Sequence, residues 1–169
     1  MPTPDFLQSL GISALGSRVR RLFETLNAPV AELYRSELEF EQRWFALTLL
    51  LADKGALSVQ ACANALGLSH VAVIQIAENM EAAGLLERRK SPEDARVALL
   101  ALTPRGLAKA KAVERVRAQV DAAASALLNE AAPDFLNNLE GLEQTLRETS
   151  FAQRLAEHQP SSPTGARDD

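Results

Sequence analysis

Two capped helices, only three residues apart, constrain this chain more than anything else in it. Ser58 precedes an apolar-faced run, Val59, Cys62, Ala63 and Leu66, that stops at Gly67. A serine there can accept from the free N–H groups of a first turn, and a glycine at the other end enters the left-handed region without a Cβ penalty. Ser69 opens a second run, in which Val73, Ile76, Ala77 and Met80 recur at helical spacing until Gly84. Two helices joined by Gly67-Leu68-Ser69 make a helix-turn-helix, whose second helix can enter a major groove. Leu86–Lys90 and Arg96–Leu102 then read as strands about the tip Ser91-Pro92-Glu93-Asp94-Ala95. The expected fold is mainly α with a small β-wing: a winged helix-turn-helix lobe with helices on either side.

Composition bounds what that lobe can belong to. At 169 residues and 47% hydrophobic, the chain is one domain or one domain with an extension. No apolar run reaches the roughly 18–20 residues of a membrane span, and Asp5 stands where a signal peptide would be basic then apolar. A single cysteine cannot close an internal disulfide, which agrees with a reducing cytoplasm. The net charge of −4 does not suit a general polyanion binder. The distribution matters more: Arg88, Arg89, Lys90, Arg96 and Arg105 fall in the central stretch, whereas acidic residues dominate the last third.

Taken in order, Met1–Asp5 is expected to be a loose lead-in. From Phe6, the residues Leu10, Leu15, Val19, Leu22, Phe23, Leu26, Val30 and Leu33 trace a helical stripe. Pro29 lies inside it and lacks a donor, so a kink or break is expected near Asn27–Pro29. Glu41–Lys54 reads as a second helix, apolar nearly all round and closed by Gly55. Thr103 and Pro104 signal a further helix start, continued by Val113, Val116, Val120, Ala124 and Leu127. Pro133 and Asp134 start another, bearing Phe135, Leu139, Leu142 and Leu146, and residues 159–169 have the composition of a disordered tail. The expected division is an arm at 1–40, the lobe at 41–106, C-terminal helices at 107–158 and the tail. Both terminal arms carry apolar stripes remote from the lobe, so pairing of two copies through them is expected.

The chain resembles the MarR family of bacterial winged-helix regulators from about Leu15 to His158. Asp94-Ala95-Arg96, then after six residues Thr103 with Leu102 before it, is similar to that family's wing signature and the helix start beyond it. Glu81-Ala82-Ala83-Gly84-Leu85-Leu86-Glu87-Arg88 resembles its recognition-helix exit. Ser69-His70-Val71-Ala72-Val73-Ile74-Gln75 is similar to a version found where such a lobe precedes an acetyltransferase. No acetyltransferase follows here, so a stand-alone regulator is the expectation. The resemblance implies a triangular homodimer held by terminal helices, paired lobes on duplex DNA at an inverted repeat, and often a small-molecule pocket between lobe and dimer region.

Departures from the family pattern bear on the DNA face. Where the family commonly has Arg, Arg or Lys, and Thr or Ser, this chain has Gln75, Asn79 and Ile74, and the wing positions Val97 and Ala98 are apolar. Helical spacing puts Val71, Ile74, Gln75 and Glu78 toward the groove. Gln75 can read adenine through two hydrogen bonds, Val71 and Ile74 can only meet thymine methyls, and Glu78 repels phosphate unless paired. Ser58, Ser69, His70 and Asn79 complete the candidate contacts on the helices. Phosphate anchoring falls to Arg88, Arg89, Lys90 and Arg96, with Asp94 either bracing Arg96 or leaving it to the minor groove. Tyr34, Trp44 and Phe45 are candidates for an effector pocket, against their plainer role as core. Cys62 reads as a small core hydrophobe rather than a redox centre. His70, His158 and Cys62 make no metal site, no catalytic constellation stands out, and no cofactor is expected. Two functions therefore stay open: a dimeric DNA-binding regulator of transcription, or a protein-interaction or effector-binding module on the same fold with a weakened DNA face.

Overall fold

Each stop and start read from the sequence around residues 58–84 is made by a visible cap. A computed structural model describes residues 5–94 and 96–159. Ser58 Oγ accepts from Ala61 N at 3.1 Å at the head of α4 (Val59–Leu66), and Gly67 closes that helix at φ +64°. Ser69 Oγ accepts from Ala72 N at 3.1 Å at the head of α5 (His70–Ala82), and Gly84 follows it at φ +70°. The two helices turn by 112° across the break, the crossing expected of a helix-turn-helix.

Before them come α1 (Phe6–Ser9), a 3₁₀ turn at Gly11–Ala14, α2 (Leu15–Leu38), another 3₁₀ turn at Gln42–Trp44 and α3 (Phe45–Lys54). Asp5 is not loose, since its carboxylate caps α1 at Leu7 N and pairs with Arg21. The rest of the expected lead-in lies outside the described residues. The break at Pro29 does not occur: α2 runs through it as one helix. Proline removes a single bond there, and both Pro29 and Thr25, whose carbonyl loses its partner, are on an exposed face. Solvent can therefore replace the missing donor. The helix ends instead at Glu39, held in the left-handed region at φ +48°, with its N–H and that of Phe40 bonded back to Arg35 and Tyr34. Burial of Phe40 against Tyr34, ring centroids 5.9 Å apart, offsets the cost of a side chain in that conformation.

The wing is a three-stranded antiparallel sheet in the order β1 (Leu57–Ser58), β3 (Ala98–Leu102), β2 (Leu86–Lys90). The short first strand carries no signal in the sequence. Register pairs Leu86 with Leu102, Arg88 with Leu100 and Lys90 with Ala98. Arg96 and Val97, expected in the second strand, belong instead to the tip, where Val97 N bonds to Asp94 O and Ser91 N to Val97 O. The core gathers Leu47, Leu51, Cys62, Val73, Met80, Leu86, Leu100 and Leu102. It also takes in Tyr34, Phe40, Ala110 and Val113, residues on either side of 41–106.

The chain divides into two units after Val120. That point lies inside α6 (Pro104–Ala131), which Thr103 starts as expected, its Oγ1 accepting from Gly106 N at 3.0 Å. In the second unit, α7 (Phe135–Glu148) and α8 (Phe151–Glu157) follow, the latter opened by a capping box between Ser150 and Gln153. Phe135, Leu136, Leu139, Leu142, Leu146, Phe151 and Leu155 are exposed there. The expected tail beyond Gln159 lies outside the described residues. Among the described residues no single helix is long and apolar enough to cross a membrane.

Candidate nucleic-acid interface

The face that α5 offers is decided by what it buries. Val73, Ala77 and Met80 are fully buried, so the opposite side of a 3.6-residue helix carries Val71, Gln75 and Glu78, all exposed, with Ile74 half-buried beside them. Val71 leaves 63% of its surface to solvent, high for a valine. His70, the first residue of α5, is exposed beside the Ser69 cap. Ser58 is half-buried, its hydroxyl engaged in the α4 cap. Asn79 is exposed but turned onto its own helix, donating to Gln75 O at 2.6 Å.

The cations of the wing are not a single cluster. Strand alternation puts Arg88 and Lys90 on the side that Leu86 turns to the core, and Arg89 on the other with Glu87. Arg88 Nε lies 3.2 and 3.1 Å from the two carboxylate oxygens of Glu81 on α5. Arg89 Nε donates to Glu87 at 2.7 Å. Lys90 is exposed and forms no ion pair among the described residues.

Asp94 and Arg96 brace the tip together. Arg96 Nε and Nη2 meet Asp94 Oδ1 and Oδ2 at 3.0 and 2.9 Å, and Arg96 N donates to Oδ1 at 3.0 Å. The Arg96 guanidinium holds the Asp94 carboxyl below the usual aspartate range and is itself raised by the same bond. Even so, 91% of the Arg96 side chain remains exposed, so the brace does not remove it from a partner's reach.

Sequence reasoning missed the joint that fixes α5 against α6. Thr103 Oγ1 donates to Gly84 O at 2.8 Å, Thr103 N to Leu85 O at 3.1 Å, and Arg105 Nη1 to Ala83 O at 3.1 Å. A Cβ on Gly106 would stand 2.0 Å from Leu85 O, so only glycine permits this approach. The visible signal was a glycine two residues after a proline helix start. Glu81 was also missed, though it holds Arg88.

The aromatic candidates separate. Tyr34 and a half-buried Phe45 meet at a tilt of 41°, centroids 5.8 Å apart, and Phe40 meets Trp44 edge-on at 5.6 Å. Only Trp44 of the three lines a solvent-open groove of about 730 Å³, together with Phe23, Arg35, Glu39 and Gln42. Trp44 Nε1 and Gln42 Oε1 are buried with no hydrogen-bond partner among the described residues. Cys62 is fully buried, and desolvation pushes its thiol pKa up, opposite to what a reactive thiolate needs. Among the described residues no group of His, Cys, Asp and Glu is placed to hold a metal.

Comparison with known proteins bears on the same stretch. Residues 41–97 match the sequence profile of the MarR family. Among curated proteins none matches the chain. Solved structures share its fold: a MarR family transcription regulator is 23% identical, covers 90% of this chain and 97% of its own, and superposes with a TM-score of 0.63. The PcaV transcriptional regulator of Streptomyces coelicolor, solved with its natural ligand, is 18% identical over 89% of this chain and 99% of its own, TM-score 0.61. BpsR of Bordetella bronchiseptica, whose DNA binding 6-hydroxynicotinic acid regulates, is 20% identical over 77% of this chain and 91% of its own, TM-score 0.60.

Proposed function

From the premise that residues 41–97 are a MarR-family winged-helix lobe, we propose that the chain is a DNA-binding regulator of transcription that works as a homodimer. The carrying observation is α5 itself. Its back is locked into the core by Val73, Ala77 and Met80, while its front, Val71, Gln75 and Glu78, is left open by the rest of the described chain. In this reading α5 enters the major groove, Lys90 meets a phosphate directly, and Arg88, Arg89 and Arg96 meet phosphates or the minor groove once released from their carboxylates. Ser58, Ser69 and His70 stand at helix starts, where phosphates are met. Asn79 flanks the reading face and Asp94 aims Arg96.

Pairing of two copies accounts for apolar surface that one copy leaves open. On α2, Leu15, Val19, Leu22, Phe23 and Leu26 are exposed in a row, and α7 exposes a comparable stripe. Large apolar surfaces of this kind mark interfaces. Two lobes then sit about one helical turn apart, roughly 34–36 Å, and the site is an inverted repeat. A small-molecule effector fits the groove lined by Trp44, with Arg35, Glu39 and Gln42 as polar partners, and Tyr34 and Phe45 supporting from the core. The reading places the chain in the cytoplasm and assigns it no reaction.

A mobility-shift titration across salt concentration, using the DNA that flanks its own gene, tests this. A complex at an inverted repeat that weakens with salt is expected. One observation favours a second reading: Arg88, Arg89 and Arg96 are all occupied by carboxylates, leaving the apolar Val71 as the boldest feature of α5. If no duplex binds even at low salt, and Val71→Asp abolishes a protein complex instead, the lobe is a protein-interaction module.

A further inference from the structure

The exposed side of α5 is defined by the donors it lacks. Between Ser69 and Arg88 there is no lysine or arginine. Guanine presents two acceptors, O6 and N7, to the major groove, and the usual reader of that edge is a cationic fork. Here the helix puts forward Gln75, both amide functions free for a base, and Glu78, an acceptor that repels O6 and N7. Asn79 has turned its amide nitrogen onto Gln75 O and is the less available donor. Val71, one turn before Gln75, and Ile74 beside it offer only methyl groups.

Resting on the reading of α5 as a groove-entering helix, we infer that Val71, Ile74 and Gln75 make this face select A·T pairs. Gln75 takes adenine N6 and N7 in a bidentate pair, Val71 and Ile74 pack on the C5 methyls of neighbouring thymines, and Glu78, an acceptor, turns away a guanine edge and takes an exocyclic amine, adenine N6 or cytosine N4, instead. The wing, whose arginines meet only backbone or groove width, adds affinity without changing that choice.

The test is selection of duplexes from a random library by the full-length protein, followed by affinities for the selected site with each thymine replaced by uracil. Two or three A·T pairs are expected under each α5. Loss of one thymine methyl should weaken binding about fourfold, the worth of one buried methyl group. Val71→Ala should bind the thymine site more weakly and become indifferent to uracil at the same position. Gln75→Ala should lose about 5- to 150-fold at one symmetric pair only, and Gln75→Arg should move that pair toward guanine. A guanine fixed at the position that Gln75→Ala relaxes, or thymine and uracil bound alike, overturns the inference while leaving DNA binding intact. Failure to select any duplex at low salt sinks the inference together with the regulator reading beneath it.

Discussion

The second helix of the helix-turn-helix, α5, and the wing lie side by side in one lobe and are built on opposite chemistry. From His70 to Ala82 the helix has no lysine or arginine, and its exposed face is two branched apolar side chains, an amide and a carboxylate. The five residues of β2 hold three cations, and a fourth stands at the tip. Yet the arginines among them are already paired. Glu81, Glu87 and Asp94 occupy Arg88, Arg89 and Arg96, and the first of these pairs joins the helix to the wing. Under the proposed DNA-binding reading, the difference divides the task of binding: a weakly charged face would read bases, and arginines already paired within the wing would anchor backbone only by exchanging carboxylate for phosphate. Such surface pairs are each worth about 0–1 kcal/mol, so the exchange is within reach of a phosphate but subtracts from affinity.

The largest test removes the context of both halves. A chain ending before Gln119 keeps α5, the wing, the joint at Thr103 and the core residues Ala110 and Val113, and loses α7 and α8. Sedimentation should find it monomeric or insoluble. Where it stays soluble, its affinity for a two-half-site duplex should fall by orders of magnitude, because the second lobe is no longer held at high effective concentration. A truncated protein that sediments as a stable dimer would break the proposed assembly.

How much of the fold can be read from the sequence depends on range. Caps at Ser58, Ser69 and Thr103, stops at Gly67 and Gly84, and the limits of β2 follow from neighbours within four residues, and the structure has them where expected. Longer-range features are not legible in this way. Pro29 signals a break locally, but a carbonyl open to solvent and the helical hydrogen bonds on both sides outweigh one missing bond. Alternation alone places Arg96 in a strand, whereas its bond to Asp94 bends it into the tip. The site is half legible: the exposed face of α5 comes from spacing. The pairing of Arg88 with Glu81, seven residues away on another element, requires the fold.

A change confined to the carboxylates sharpens the comparison next. Glu81→Gln and Glu87→Gln keep the shapes and release Arg88 and Arg89. Affinity at low salt should rise by about two- to fivefold for each, from about 0.5–1 kcal/mol per exposed pair, and the rise should be equal for all sequences. Calorimetry or anisotropy against the selected site and a scrambled duplex measures it. A gain on the selected site alone would give the wing a share in reading bases and blur the division.

Arg96→Ala asks the same question from the other side with a smaller expected effect. Binding to every duplex should weaken, and the slope of log K against log salt should flatten by about 0.9, the value for one phosphate that is no longer neutralised. A weakening restricted to sites with a narrow, A·T-rich minor groove would instead place Arg96 in that groove.

The smallest effect belongs to the brace beneath Arg96. Its hydrogen bond to Arg96 lowers the folded-state pKa of Asp94. A carboxyl depressed on folding contributes stability that is fully present above its unfolded value, about 3.9, and that is lost as pH falls through the lower folded value. From pH 6 to 8 the brace is therefore intact, and no part of any pH dependence of DNA binding in that window should come from Asp94. Asp94→Asn keeps the shape but removes the charge, so wild type and variant should differ slightly in melting temperature at pH 7 and converge as pH falls through the lowered Asp94 midpoint. A carboxyl-detected NMR titration of the full chain should give Asp94 a midpoint below that of an ordinary aspartate, moving up in Arg96→Ala. An Asp94 midpoint unchanged by Arg96→Ala would mean that the tip is held by Ser91, Asp94 O and Val97 alone, and that Arg96 swings free of the wing instead of stiffening it.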